Sequence, residues 1–233
     1  MSILERKERE KAERRQAILK AAKEVFFKHG FEQASMDMVA AESELAKGTL
    51  YLYFKSKEEL YVSLAEEGLA AIDEMIDCAM RSAKTIEEKL LAHTEAYYNF
   101  SQKHQDYMKI FMAIHAGVIN DKVEPERLAQ LQNAKWRRFK QAEDLIKEGM
   151  AQGIFRKDIN PREMVLMVWS AIAGAIMMSS KRCNHTTMFD GIDRKAFVMN
   201  IARVFLEYIK VKQVESPKRL STRAKAKKVA SLT

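Results

Sequence analysis

Turn formers are scarce in this chain. Its 233 residues hold eight glycines and three prolines, too few for the many tight turns of an all-β domain. Cysteine is scarcer still. Cys78 and Cys183 are the only two; they make no metal-type pair, and a reduced cytosolic setting is the simplest expectation. Long apolar runs are missing too. The most apolar stretch, Met164 to Met178, covers about 15 residues, short of the roughly 20 that span a bilayer. The N-terminal segment is charged and lacks an apolar h-region, so no secretory signal is expected. No segment alternates with period 2, and no internal repeat is present. The signatures G-x-S-x-G and HExxH, a phosphate loop and a nucleophile–base triad are all absent. The expectation is therefore no catalytic residues, no metal site, no cofactor and no membrane span.

What is present is apolar and helical. Hydrophobic residues make up 47% of the chain, with 14 methionines among them, enough for a sizeable, adaptable core. The net charge of +8 is concentrated at one end. Between Lys210 and Lys228 lie eight Lys and Arg residues, with Glu215 the single acid. Residues 213–233 have few large apolar side chains and cannot bury enough to order themselves. Two roles stay open for this tail: a solubilising extension, or a non-specific phosphate-binding segment that adds salt-dependent affinity.

The remaining chain reads as about nine helices, an all-α fold. Residues 2–14 alternate charge at i, i+3 and i, i+4 spacing, which supports a solvated helical extension. Ile18, Ala22, Val25 and Phe26 then form an apolar stripe that ends at His29-Gly30-Phe31, with Gly30 just past the helix end. Ser35 is placed as the N-cap of a short helix over 36–41. Ser56-x-x-Glu59 and Thr85-x-x-Glu88 are capping boxes. The first opens a helix to about Ala83, with Leu60, Leu64, Ile72 and Ile76 inward. The second opens a helix that breaks near 101–104. A further helix follows to about Val118. Pro125 and Asn160-Pro161 open two more, and Phe197, Ile201, Val204, Phe205 and Tyr208 line a last one.

The most specific stretch is Lys47-Gly48-Thr49-Leu50-Tyr51-Leu52-Tyr53-Phe54-Lys55-Ser56-Lys57. A helix from Lys47 to Phe54 buries Leu50 and Phe54 on one face. The polar tips of Lys47, Thr49, Tyr51 and Tyr53 then face outward, a donor-rich surface suited to phosphate oxygens and base edges. With the helix at 36–41 and the turn at 42–46, this is helix-turn-helix spacing over about 35–54. The run from about Arg15 to Leu60 resembles the DNA-binding domain of the TetR family of transcriptional regulators. It departs from that pattern in the turn, where Ser43-Glu44-Leu45-Ala46 replaces Ala-Gly-Val-Ser. A left-handed Glu44 carries a penalty on the order of 1 kcal/mol.

The resemblance implies a cytoplasmic homodimeric regulator that binds double-stranded DNA at a palindromic operator, most simply a repressor. It implies DNA-contacting roles for Ser35, Lys47, Gly48, Thr49, Tyr51, Tyr53 and Lys57. Residues 1–60 hold twelve Lys and Arg against eleven acids, so those contacts depend on placed cations and not on bulk field. It divides the chain into a DNA-binding domain, 1–56, and a helical domain, 57–212, that binds a small, often hydrophobic effector and dimerises. Its effector candidates are Tyr97, Phe100, Met108, Phe111, Met112, His115, Trp136, Phe139, Trp169 and Met177; the same residues also describe an ordinary helical core. Pairing of 161–180 and 193–210 across a two-fold axis gives the implied dimer, although both helices could instead bury their stripes within one chain. Two other classes remain open: an activator or nucleoid-type binder using the basic tail, and a helical enzyme.

Overall fold

The computed structural model describes residues 2–179 and 186–211. The basic tail 213–233, Ser180 and Cys183 lie outside these residues. Among the described residues the chain forms nine α-helices and a short 3-10 turn at Thr186–Phe189.

The first domain is built from α1 (Ile3–Gln33), α2 (Met36–Glu42) and α3 (Lys47–Tyr51). A capping box from Ser2 and Glu5 starts α1. Its first three turns are exposed, and burial begins at Ile18. Gly30 breaks the helical path with φ 74° and ψ 171°, a conformation only glycine enters at little cost. The chain can therefore turn without leaving α1, and Phe31 folds back beside Phe26, 6.2 Å between ring centroids.

The long helix α4 (Lys57–Arg81) leaves this domain without a spacer. Ser56 Oγ accepts from the Glu59 backbone N–H at 3.2 Å. The expected reciprocal bond is displaced by one residue, because the Glu59 carboxylate accepts from the Lys55 N–H at 2.6 Å. Around α4 pack α5 (Ile86–Lys103), α6 (Gln105–His115) and α7 (Pro125–Ala151). Then α8 (Pro161–Met178) lies against α7, and α9 (Arg194–Ile209) lies against α8 and α5. Asn160 caps α8 through its side-chain oxygen. With 18 residues, α8 is long and apolar enough by composition to match a membrane span, but it is packed between α7 and α9.

One apolar core runs through both expected domains. It joins Ile18, Phe26 and Leu50 to Leu60, Tyr61, Leu64 and Ile72 of α4, and then to Phe100, Tyr107 and Ile110. The Tyr61 ring sits 4.8 Å from Phe31 and 5.1 Å from Phe26. Packing therefore crosses residue 56, and the first two turns of α4 belong physically to the first domain. Apolar contact of this kind, at roughly 1.5–3 kcal/mol per fully buried large side chain, makes α4 a stiff connection.

Candidate nucleic-acid interface and effector cavity

The turn before α3 is set by Glu44, whose φ is 54°, the only positive value outside glycine among the described residues. The left-handed turn thus forms without glycine. Ser35 Oγ caps α2 by accepting from Met38 N–H at 3.2 Å. Leu50 and Phe54 are 0% and 1% exposed and anchor α3 to the core. The helix is shorter than its sequence spacing predicts. It ends at Tyr51, and the Tyr53 and Phe54 N–H groups both donate to the Leu50 carbonyl at 2.9 Å, closing a tight turn. The Arg15 guanidinium lies over the Phe54 ring at 4.8 Å.

This leaves Lys47, Gly48, Tyr51 and Leu52 exposed and Thr49 and Tyr53 half-buried. Leu52 is 81% exposed, an apolar side chain presented to solvent beside Tyr51. A Cβ added at Gly48 would have no neighbour within 4 Å, so the surface here is open. Lys47 is not idle. It pairs with Asp37 of α2 at 2.7 Å, and that hydrogen bond holds its ammonium pKa above the ordinary lysine value. Lys57 is used differently again. Its ammonium donates to the carbonyls of Phe31, Glu32 and Ala34 at 3.1–3.3 Å and lies 4.7 Å from the Phe31 ring centroid. All three of its hydrogens thus close the end of α1.

The second domain encloses a cavity of about 1300 Å³. Of the sequence-selected residues, Tyr97, Met108, Phe111, Met112, His115, Trp136, Phe139, Trp169 and Met177 line it. Phe100 does not. It is fully buried and stacks at 6.1 Å on Phe111 and 6.3 Å on Tyr107, a core position. Trp169 is the centre of the aromatic wall, with edge contacts to Phe139 at 5.3 Å and His115 at 5.8 Å. Beside it lies Tyr97, whose hydroxyl pKa is raised chiefly by burial. Leu69, Ile72 and Ile76 of α4 form part of the lining.

Sequence reasoning passed over the polar lining. His93 is half-buried, and desolvation of its ring pushes its pKa down to about 4, with the Arg138 charge adding to the effect. Arg138 in turn holds Asp73 of α4 at 2.7 Å, with side chains 11% and 22% exposed. Among the described residues two buried side-chain atoms lack a hydrogen-bond partner, His93 Nε2 and Arg194 Nε, and both residues line the cavity. His93, His104 and His115 recur every eleven residues, a spacing that on one unbroken helix would put them on one face. The three rings instead meet different neighbours: Arg138, Phe100 and Trp169 respectively. Among the described residues no group of three or more His, Cys, Asp or Glu is placed to hold a metal.

Three elements also meet where the domains join. The Tyr107 hydroxyl of α6 donates to Glu67 of α4 at 2.5 Å and accepts from Lys23 of α1 at 2.8 Å. Beside it, Gly68 of α4 lies so close that an added Cβ would sit 2.7 Å from the Tyr107 ring.

Two short helices joined by a tight turn, a half-exposed second helix and a helical domain with an apolar cavity define the class of helix-turn-helix regulators. Residues 18–64 match the model of the bacterial regulatory proteins of the tetR family. Residues 18–64 are thus similar to the DNA-binding segment of that family. Similar curated proteins include the uncharacterised transcriptional regulator YhgD of Bacillus subtilis, 33% identical over 42% of this chain and 52% of its own length. The transcriptional activator FasR of Mycolicibacterium smegmatis is 34% identical over 52% of this chain and 53% of its own. The chain thus spans about half the length of these relatives. A longer but weaker match is the transcriptional repressor NicS of Pseudomonas putida, 27% identical over 67% and 72%. The solved fatty acid degradation regulator FadR of Bacillus halodurans has the same fold, with a TM-score of 0.62 at 22% identity over 82% of this chain and 94% of its own.

Proposed function

We propose that the chain is a homodimeric, cytoplasmic, sequence-specific DNA-binding regulator, a repressor that leaves a palindromic operator when a small apolar ligand fills the cavity. The observation that carries the reading is the surface from Lys47 to Tyr53, held on the buried anchors Leu50 and Phe54 while its polar tips stay accessible. In this reading α3 enters the major groove. Gly48 lets the backbone approach, Thr49 reaches base edge or phosphate, and Tyr51 and Tyr53 donate to phosphates. Leu52 is an added candidate for contact with a thymine methyl. Ser35 and the backbone around it approach the flanking phosphates. Lys47 must exchange Asp37 for phosphate on binding. Lys57 contributes chiefly by ordering the end of α1, and it reaches phosphate only by releasing those carbonyls.

The dimer reading rests on two outward stripes. On α8 these are Met167 and Met178; on α9 they are Val204 and Tyr208, 69% and 55% exposed. Residues 1–56 with the first turns of α4 form the DNA-binding domain, and the rest through Ile209 binds effector and dimerises. The activator name of FasR favours a second reading in sign only, with the same DNA and ligand chemistry.

Fluorescence anisotropy on a labelled operator duplex tests the interface. Tyr51→Phe and Tyr53→Phe each remove one phosphate donor and are expected to weaken binding about 3- to 10-fold, similarly on all sequences. Unchanged affinity in the double variant, at physiological salt and with the dimer intact by sedimentation, contradicts the assignment.

A further inference from the structure

The charged side chains that line the effector cavity are all of one sign. They are Lys109, Lys135, Arg138 and Arg194, and among the described residues no Asp or Glu joins them. Lys109 and Arg138 are balanced from outside the lining: Lys109 pairs with Asp106, and Asp73 holds Arg138 at 2.7 Å. Lys135 and Arg194 have no carboxylate partner among the described residues. Lys135 is half-buried, one helical turn from Arg138 on α7. Burial and the Arg138 charge together hold its ammonium below the ordinary lysine pKa. A cleft with apolar walls and charge of one sign focuses its field on a ligand of the other.

Arg194, the first residue of α9, carries the sharper mark. Its Nε is buried and has no hydrogen-bond partner. A guanidinium does not deprotonate, so this nitrogen always presents a hydrogen. The acids beside it are committed elsewhere. Asp193 caps α9 by accepting from the Ala196 N–H at 3.0 Å, and Glu95 of α5 pairs with Lys195 at 2.5 Å. Residues 180–185, which precede Thr186 in the chain, contain no Asp or Glu either. A buried donor without an acceptor is costly, and more so on a charged group. A neutral ligand oxygen would satisfy Nε but leave the charge unbalanced. A carboxylate or phosphate does both, because two of its oxygens match the fork of guanidinium N–H groups.

We propose that the effector is an amphipathic anion whose charged oxygens accept from Arg194, with Lys135 adding to the positive field, and whose apolar body lies in the rest of the cavity. The proposal rests on the effector reading of the cavity and gives that ligand its charge. The apolar part of the wall includes Leu91, Phe139 and Trp169. At about 1300 Å³ the cavity exceeds the roughly 300–1,000 Å³ of ordinary ligand pockets, so a sizeable apolar body fits beside the charged group.

The two tryptophans of the chain, Trp136 and Trp169, both line the cavity, so intrinsic emission reads its occupancy directly. The full chain is titrated with decanoate, decyl phosphate, 1-decanol and decylammonium. At least one of the two anions is expected to bind about tenfold more tightly than the alcohol, the scale of one charge-assisted hydrogen bond, and decylammonium is expected to bind least. Whichever anion binds more tightly identifies the group as carboxylate or phosphate. Arg194→Gln is expected to reduce the anion-to-alcohol ratio to about one. Arg194→Lys, which keeps the charge without the fork, is expected to keep several-fold preference. Should Arg194→Gln fail to fold, the native chain and Arg194→Lys still decide. An alcohol that binds as tightly as both anions overturns the proposal, as does decylammonium binding at the anions' level or an anion preference that survives Arg194→Gln. If no probe changes tryptophan emission at all, the effector reading itself fails, and the DNA-binding reading is left to its own test.

Discussion

Gly68→Ala probes how the two halves of the molecule communicate. Gly68 sits on α4 where α6 crosses it. The added Cβ would lie 2.7 and 2.9 Å from two Tyr107 ring carbons and 3.0 Å from the Phe111 ring. Carbon contacts settle near 3.5–4.0 Å, so about 1 Å must be found. Tyr107 has little room to provide it. The ring is 3% exposed, meets Phe27 edge-on at 5.9 Å and is tied by its hydroxyl to Glu67 and Lys23. The helices must part instead. Overpacking costs about 1–3 kcal/mol, while alanine gains about 1 kcal/mol of helix propensity over glycine. The net destabilisation is about 0–2 kcal/mol, a Tm loss of up to roughly 4–8 °C for a chain of this size. The larger effect is expected on DNA. Gly68 is eleven residues from the start of α4, so a 1 Å displacement acts at roughly 16 Å from the end of α4 that packs on the DNA-binding domain. Operator affinity is expected to fall about 5- to 150-fold, the usual span of an allosteric coupling. Anisotropy titration gives the affinity and differential scanning fluorimetry gives Tm. A Gly68→Ala variant that matches the parent in both measurements refutes the claim that α6 holds α4 in its DNA-competent position.

Further outcomes follow from single residues. Glu44→Gly relieves a left-handed backbone costing about 1–2 kcal/mol and returns about 0.4–1 kcal/mol of chain entropy to the unfolded state; a net gain of about 0.5–1 kcal/mol is expected in urea melts, and a loss would mean that the Glu44 side chain contributes more than its backbone costs. Gly149→Ala sets a Cβ 2.2 Å from the fully buried Phe155 ring and is expected to destabilise by about 3 kcal/mol, the upper end of core overpacking; a neutral result in the same melts would show that this corner can open freely. His93 supplies the pH dependence. Its pKa falls from 6.5 to about 4 on folding, so the unfolded chain takes up the proton first and stability declines as pH drops from about 6.5 toward 4. His93→Gln should flatten that limb of a stability–pH curve, and an unchanged limb would assign the acid sensitivity elsewhere.

Much of this architecture was legible in sequence because the signals were local. Ser35, Thr85 and Asn160 accept the backbone hydrogen bonds that their cap positions required. Leu50 and Phe54 are buried as their four-residue spacing predicts, although the turn after Tyr51 and not a continuing helix brings Phe54 in. The left-handed Glu44 falls where the turn of the resembled pattern carries glycine. What stayed hidden depends on partners distant in sequence. Lys57 reads as an accessible cation until Gly30 turns the chain and brings three carbonyls to it. His93 and Arg138 are 45 positions apart, and nothing in either segment announces that they share a wall. Phe100 looked like its aromatic neighbours; only the packing of α6 separates a core ring from a cavity ring.

Selection of bound duplexes from a random pool by the full-length protein, without added ligand, tests the central claim most directly. The account predicts enrichment of one two-fold symmetric sequence with half-sites about one helical turn apart or a multiple of it, bound by an even number of chains and lost when Tyr51 and Tyr53 are both replaced. A pool that remains random after successive rounds, with the protein monomeric throughout, would contradict it.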